Sequence, residues 1–139
     1  MFSFLTTFTY THRMYHNHLN ELLSKYNFSS TQWALLRYLS EAGPAKLSEV
    51  ASYWQVERPT VTPIVQKLYE RGIIFVAPGK DKRQKVMHVS EAGLELHKAI
   101  KAEMDAFQEE LLQGVTGEER EVTEQVLEKM LVNMMKRKG

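Results

Sequence analysis

Residues 56–72, VERPTVTPIVQKLYERG, constrain the fold more than any other part of the chain. At about 100° per residue, Val61, Ile64, Val65 and Leu68 fall on one side of a helix. Pro59, Pro63, Gln66 and Glu70 fall on the other, with Thr60, Thr62 and Lys67 on the flanks. Such a helix buries its apolar stripe and keeps a face of small and polar groups for something outside the core. Pro59 suits a first helical turn, where its missing N–H costs little. Pro63 removes a bond to the carbonyl of Pro59, so the helix is expected to be tight or bent there. A shorter helical pattern, Leu47–Trp54, comes first, and Gln55, Val56, Glu57 and Arg58 make the turn. Afterwards come two short strand-like runs, residues 73–77 and 85–89, around the charged tip of residues 79–85. Helix, turn, helix and basic hairpin is the layout of a winged helix-turn-helix, in which the second helix enters a DNA major groove.

The flanking segments read as helices that support this unit. Residues 4–26 form a first helix, with Leu5, Phe8, His12, Tyr15, Leu19, Leu22, Leu23 and Tyr26 at spacings of three and four. Ser29 and Gln32 make a capping box, and the helix they open buries Trp33, Leu36 and Leu39. It stops at Gly43 and Pro44. Ser90, Glu91, Ala92 and Gly93 open a long helix with Leu94, Leu96, Ile100, Met104, Phe107, Leu111 and Leu112 as its stripe, ended by Gly114. Thr116 and Glu119 make a second capping box before a last helix carrying Val122, Val126, Leu127, Met130, Leu131, Met134 and Met135. A core built from residues 30–90 cannot cover all these stripes, and each apolar side chain left in water forfeits roughly 1.5–3 kcal/mol. Packing the terminal helices against a second copy resolves this, and sets two recognition helices about 34 Å apart. A monomeric bundle is the other arrangement the pattern allows.

The fold class is therefore mainly α: a winged helix-turn-helix with a two-stranded β wing, plus N- and C-terminal helices forming a dimerisation region. Residues 1–139 make one domain, with 29–92 as the winged lobe and 1–28 and 93–139 as dimerisation helices.

Charge agrees with this layout. Net charge is only +1 over 139 residues, but residues 46–85 hold 8 Lys and Arg against 4 acids. A basic middle third is the electrostatic footprint of a phosphate-binding face. There is no cysteine, which excludes disulfides and thiol-based redox sensing. No apolar run reaches about 18 residues, the length a membrane helix needs. The apolar start has no basic residue before it and makes a poor signal peptide, so a cytoplasmic location is expected. No Gly-rich phosphate loop, nucleophile motif or metal constellation is present, and His88 and Ser90 on alternate strand positions are not a triad; an enzyme is not expected.

The chain resembles the MarR-type transcriptional regulators. The run from Ser29 to Leu36 (SSTQWALL) is similar to their second-helix motif. So is Arg58-Pro59-Thr60-Val61-Thr62 continuing to Lys67-Leu68-Tyr69-Glu70-Arg71-Gly72-Ile73-Ile74. So is the wing, Asp81-Lys82-Arg83, followed by Val89-Ser90-Glu91-Ala92-Gly93. The resemblance implies a homodimer, a repressor or activator, on a pseudo-palindromic operator in double-stranded DNA. Repression is the expected sign, with a small aromatic or anionic effector modulating binding. It implies that Arg83 enters the minor groove and that Asp81 pairs with its guanidinium. It places Thr60, Thr62, Pro63, Gln66 and Lys67 at the major groove and its phosphates, Arg58 at the helix start, and Lys80 and Lys82 beside Arg83 on the wing. Many members of the family carry an Arg in the first wing strand where this chain has Val76 or Ala77. Its redox-sensing branch needs an N-terminal cysteine, which this chain lacks.

Tyr10, His12, Tyr15 and His16 are candidates for the effector site, because aromatic walls with a few polar groups suit small aromatic acids. Dimer packing is the other role these residues can fill. His12 and His16, four apart, share a helix face as metal ligands can, but no third ligand type accompanies them, and neither a metal nor a cofactor is expected. A winged helix that binds protein rather than DNA is the competing reading; a flat salt dependence would favour it.

Overall fold

The computed structural model describes residues 3–138. The elements run α1 (Phe4–Ser24), α2 (Ser30–Ala42), β1 (Ala45–Lys46), α3 (Leu47–Trp54), α4 (Arg58–Glu70), β2 (Ile74–Pro78), β3 (Lys85–Val89), α5 (Glu91–Leu111) and α6 (Gly117–Lys138). Two compact units are present, one up to Glu103 and one from Met104 onward.

In the first unit α2 is the central helix. It packs on α1, α4 and β3, and buries Trp33, Leu35, Leu36 and Leu39. Ser29 Oγ accepts the Gln32 N–H at 3.1 Å, while Gln32 Oε1 accepts the Ser29 N–H at 3.0 Å. The capping box read from the sequence is therefore closed at both bonds, and two orphan donors of the helix start are satisfied. The stop is also as expected, at Gly43 with φ 98°. Leu23, Val50, Ala51, Val61, Leu68, Ile73, Ile74, Met87 and Ile100 complete the core.

The wing is the β2–β3 hairpin, paired from Ile74↔Val89 to Pro78↔Lys85. A third strand, which the sequence reading did not contain, joins it. Ala45 and Lys46 pair with Met87 and Val86, giving a sheet of order β1-β3-β2. Two residues after a Gly-Pro stop carry no periodicity, so only the partner strand identifies them. The same Lys46 also starts α3. No Ser, Thr or Asp caps that helix, yet Glu49 Oε1 accepts the Lys46 N–H at 3.1 Å and supplies half of a capping box.

One joint fixes where α4 ends and α5 begins. Gly72 turns the chain with φ 71°, and the Ile73 N–H returns to the Leu68 carbonyl at 3.0 Å. Ser90 caps α5, accepting the Gly93 N–H at 3.1 Å, and its hydroxyl lies 2.6 Å from the Gly72 carbonyl and 2.9 Å from that of Ile73. Gly93 is buried at the closest approach: a Cβ there would lie 2.3 Å from the Ile73 carbonyl oxygen.

A second corner joins α1 to α5. The Tyr26 hydroxyl and the Lys25 ammonium both donate to the Glu103 carboxylate. Those bonds, Lys25 first and Tyr26 second, hold the Glu103 carboxyl below its ordinary value of 4.5.

The expected burial of the terminal stripes is only partly realised within one chain. In α1, Leu23 is the only buried residue; Phe4, Leu5, Phe8, Tyr10 and Met14 are exposed. Leu94, expected in the α5 stripe, is 52% exposed. In the second unit Gly114 has φ 80°, and Thr116 and Glu119 close their box at 2.9 and 3.1 Å. Of α6, Met130 is half-covered and the rest of residues 117–137 are exposed.

Two predictions follow from the joints. Gly93→Ala should destabilise the fold by about 1–3 kcal/mol, because backbone rather than a flexible side chain must move; urea unfolding measures it. Because the Glu103 carboxyl is depressed in the fold, its contribution is complete above 4.5 and is lost as pH falls through and below that value. The melting-temperature gap between wild type and Glu103→Gln should therefore narrow from pH 7 to about pH 3.

Candidate nucleic-acid interface

α4 divides as its sequence requires. Val61 and Leu68 are fully buried and Ile64 and Val65 half-buried, while Arg58, Pro59, Thr60, Thr62, Pro63, Gln66, Lys67 and Glu70 are exposed. Pro63 sits inside the helix without ending it. The carbonyl of Pro59 then lacks its usual donor four residues on, which an exposed position tolerates because water can supply one. No acidic residue lies in the first turn and no side chain caps it. Glu57 stands at the N-cap, where its charge offsets part of the positive end of the helix dipole without bonding the first amides.

The polar groups on this face are not equally available. Thr62 Oγ1 donates to the Arg58 carbonyl at 3.0 Å, so its hydroxyl presents only lone pairs and its methyl outward. Gln66 Nε2 donates one of its two hydrogens to Glu70 Oε1 at 3.2 Å, which leaves its second N–H and its carbonyl oxygen open. Arg71, part of the basic middle third, faces inward chemically: its guanidinium donates to the Asn27 and Tyr26 carbonyls at 2.7 and 2.9 Å. Two of its five donors are thus committed to the corner, which fixes where the group sits.

On the wing, Lys80, Asp81, Lys82 and Arg83 are exposed. The tip is closed by Gly79 N–H to Gln84 O at 3.1 Å and Gln84 N–H to Asp81 O at 2.9 Å. Asp81 Oδ1 accepts the main-chain N–H of Arg83 at 3.0 Å. The expected ion pair between Asp81 and the Arg83 guanidinium is absent among the described residues. The carboxylate is used to shape the turn, a short-range bond that an Asp two residues upstream reaches easily, and the guanidinium is left to solvent. Phe75 and His88, register partners on β2 and β3, stack at 5.1 Å and 9° and stiffen the hairpin behind the tip.

The four candidate effector residues lie along α1. His12 and His16 stack at 5.9 Å, and the Arg13 guanidinium lies 5.8 Å from the Tyr10 ring centre. Tyr15 and His16 are half-buried, Tyr10 and His12 exposed. A cleft of about 530 Å³ lies elsewhere, lined by Ser24, Asn27, Phe28, Gln32, Lys67 and Arg71 among others, and by none of these four. Nothing in the sequence marked it, because its wall combines two segments distant along the chain, residues 24–32 and 67–71. Among the described residues no group of three or more metal-ligating side chains occurs, and no helix is long and apolar enough to cross a membrane.

A buried-stripe helix with an open polar face, preceded by a short helix and followed by a cationic hairpin, defines a winged helix-turn-helix. The model of the MarR family matches residues 28–85. The chain is 35% identical over 102 residues to YwoH of Bacillus subtilis (strain 168), an uncharacterised HTH-type transcriptional regulator, covering 73% of this chain and 74% of that protein. Its fold is that of Staphylococcus aureus MepR in complex with DNA, with TM-score 0.82, 21% identity, and coverage of 96% of this chain and 99% of that one. It is equally that of Staphylococcus aureus MarR in complex with salicylate and kanamycin, with TM-score 0.84, 24% identity, and coverage of 96% and 91%. The chain belongs to the MarR family: it is a DNA-binding transcriptional regulator and not an enzyme.

Proposed function

We propose that the protein is a homodimeric repressor that occupies a pseudo-palindromic operator in the cytoplasm, with α4 in the major groove and the wing tip in the minor groove. The observation that carries this reading is the outer face of α4, exposed from Arg58 to Lys67 while its opposite stripe is buried. Thr60, Thr62, Pro63 and Gln66 meet base edges there, and Arg58 and Lys67 meet phosphates. Arg83 enters a narrow A·T-rich minor groove, whose negative potential attracts a hairpin-tip guanidinium, and Lys80 and Lys82 flank it on the backbone. Asp81 serves by shaping the turn that presents Arg83. The winged lobe is residues 29–92, and residues 1–28 and 93–139 supply the dimer helices.

Dimerisation is supported by the apolar side chains that one chain leaves in water: Phe4 63%, Leu5 61%, Leu131 59% and Met134 66% exposed. Exposed apolar surface on this scale marks an interaction face. A small aromatic anion is the proposed effector, with Tyr10, His12, Tyr15 and His16 as its contacts. The salicylate in the similar Staphylococcus aureus structure motivates that class. Millimolar salicylate should release the protein from its operator; an unaltered complex at that concentration removes this class.

Selection from random duplex DNA should enrich a two-fold symmetric motif with half-site centres about 34 Å apart. On that motif Arg83→Ala should lose about 1–3 kcal/mol of binding with an unchanged melting temperature. Folded, dimeric protein that enriches no motif, or an Arg83→Ala variant of wild-type affinity, defeats the corresponding part of the assignment.

A further inference from the structure

We propose that Arg71 and Glu103 are positioning residues for DNA recognition, linked through the corner at residues 25–28 so that α5 sets the angle of α4. The inference rests on the assignment of α4 as the recognition helix.

The corner is a stiff intermediary. Its own amides are used internally: Tyr26 and Phe28 donate to the Leu23 carbonyl at 3.0 and 3.1 Å, and Asn27 donates to that of Ser24 at 3.0 Å. Asn27 takes the left-handed conformation, φ 56°, which asparagine adopts readily where a helix stops with this bond pattern. This turn aims the Tyr26 and Asn27 carbonyls at Arg71, the residue directly after α4. Nη1 donates to Asn27 O at 2.7 Å and Nη2 to Tyr26 O at 2.9 Å. The guanidinium carbon lies 4.7 Å from the ring centre of Phe28, which is buried. Two bonds to successive carbonyls and a ring face hold the planar fork in a way that a point charge cannot reproduce. The preceding two residues of the corner hold α5, with Lys25 and Tyr26 both donating to Glu103.

These directional contacts add what apolar packing does not supply. Leu23, Leu68 and Ile100 in the core bring the helices together, but burial is non-directional and leaves rotation and sliding loosely set. Base contacts require placement to about 0.5 Å. Arg71 and Lys25 are exposed, and such surface bonds contribute little to stability. Their removal should alter α4 placement more than it alters folding.

The absence of cysteine permits a direct test. Spin labels on Thr60→Cys in α4 and Ala99→Cys in α5, in full-length chain diluted with unlabelled copies and without DNA, report the interhelix distance distribution. Arg71→Lys and Glu103→Gln should each broaden it at unchanged helicity. On unlabelled protein, each should weaken selected-operator binding by about fivefold to tenfold. The double variant should bind no more weakly than Arg71→Lys alone. Lysine keeps the charge, so a loss in Arg71→Lys separates the fork from a plain phosphate contact. Unchanged distance distributions in both single variants overturn the relay, as do additive losses in the double variant. A wild-type chain that retains no DNA overturns the recognition-helix assignment alone, since the label distances still decide the relay.

Discussion

The winged lobe of this protein depends on α4 being held from one side. Val61 and Leu68 have no contact with solvent, and each such burial is worth roughly 1.5–3 kcal/mol. Because all of that attachment comes from the stripe, the opposite face needs no structural role. It can therefore carry Pro63 within the helix and a Pro59 carbonyl without its usual donor.

The same economy governs the joints around α4. At its C-terminal end the chain must reverse, start the wing and return to α5 within a few ångströms. Gly72 supplies the left-handed turn, Ser90 satisfies carbonyls that the turn leaves open, and Gly93 lets α5 approach the Ile73 carbonyl. The wing is then a short hairpin on a rigid base, stiffened by Phe75 on His88 and edged by β1. Its tip is ordered by backbone bonds and by Asp81, so the cationic side chains remain extended into solvent. That is an arrangement for meeting a polyanion, where each cation gains most by exchanging counterions and not by internal pairing.

The terminal helices present the opposite case. Many of their apolar residues are exposed in the isolated chain, while the Ser90 cap, the Gly114 stop and the Thr116–Glu119 box that delimit α5 and α6 are local devices that need no partner. Helix formation and helix burial are here separate problems: the first is solved within α1, α5 and α6 themselves, the second by whatever covers Phe4, Leu5, Leu131 and Met134.

Much of the fold was legible in the residues alone, because periodicity, caps and breakers act over at most one or two turns. The α4 stripe, the Ser29–Gln32 and Thr116–Glu119 boxes, the Gly43 stop and the existence of the wing hairpin all belong to that class. The family motifs lie on these same elements. Tertiary structure decided what depends on segments distant along the chain. Ala45 and Lys46 became a strand only because β3 was beside them. Asp81 bonded the Arg83 amide instead of its guanidinium because the turn brought the amide nearer. Arg71, indistinguishable in sequence from a phosphate-binding cation, was claimed by carbonyls 44 and 45 residues away. A local pattern specifies which face of an element is apolar and where the element stops; which polar group a given side chain finally meets is set only when the chain has closed on itself.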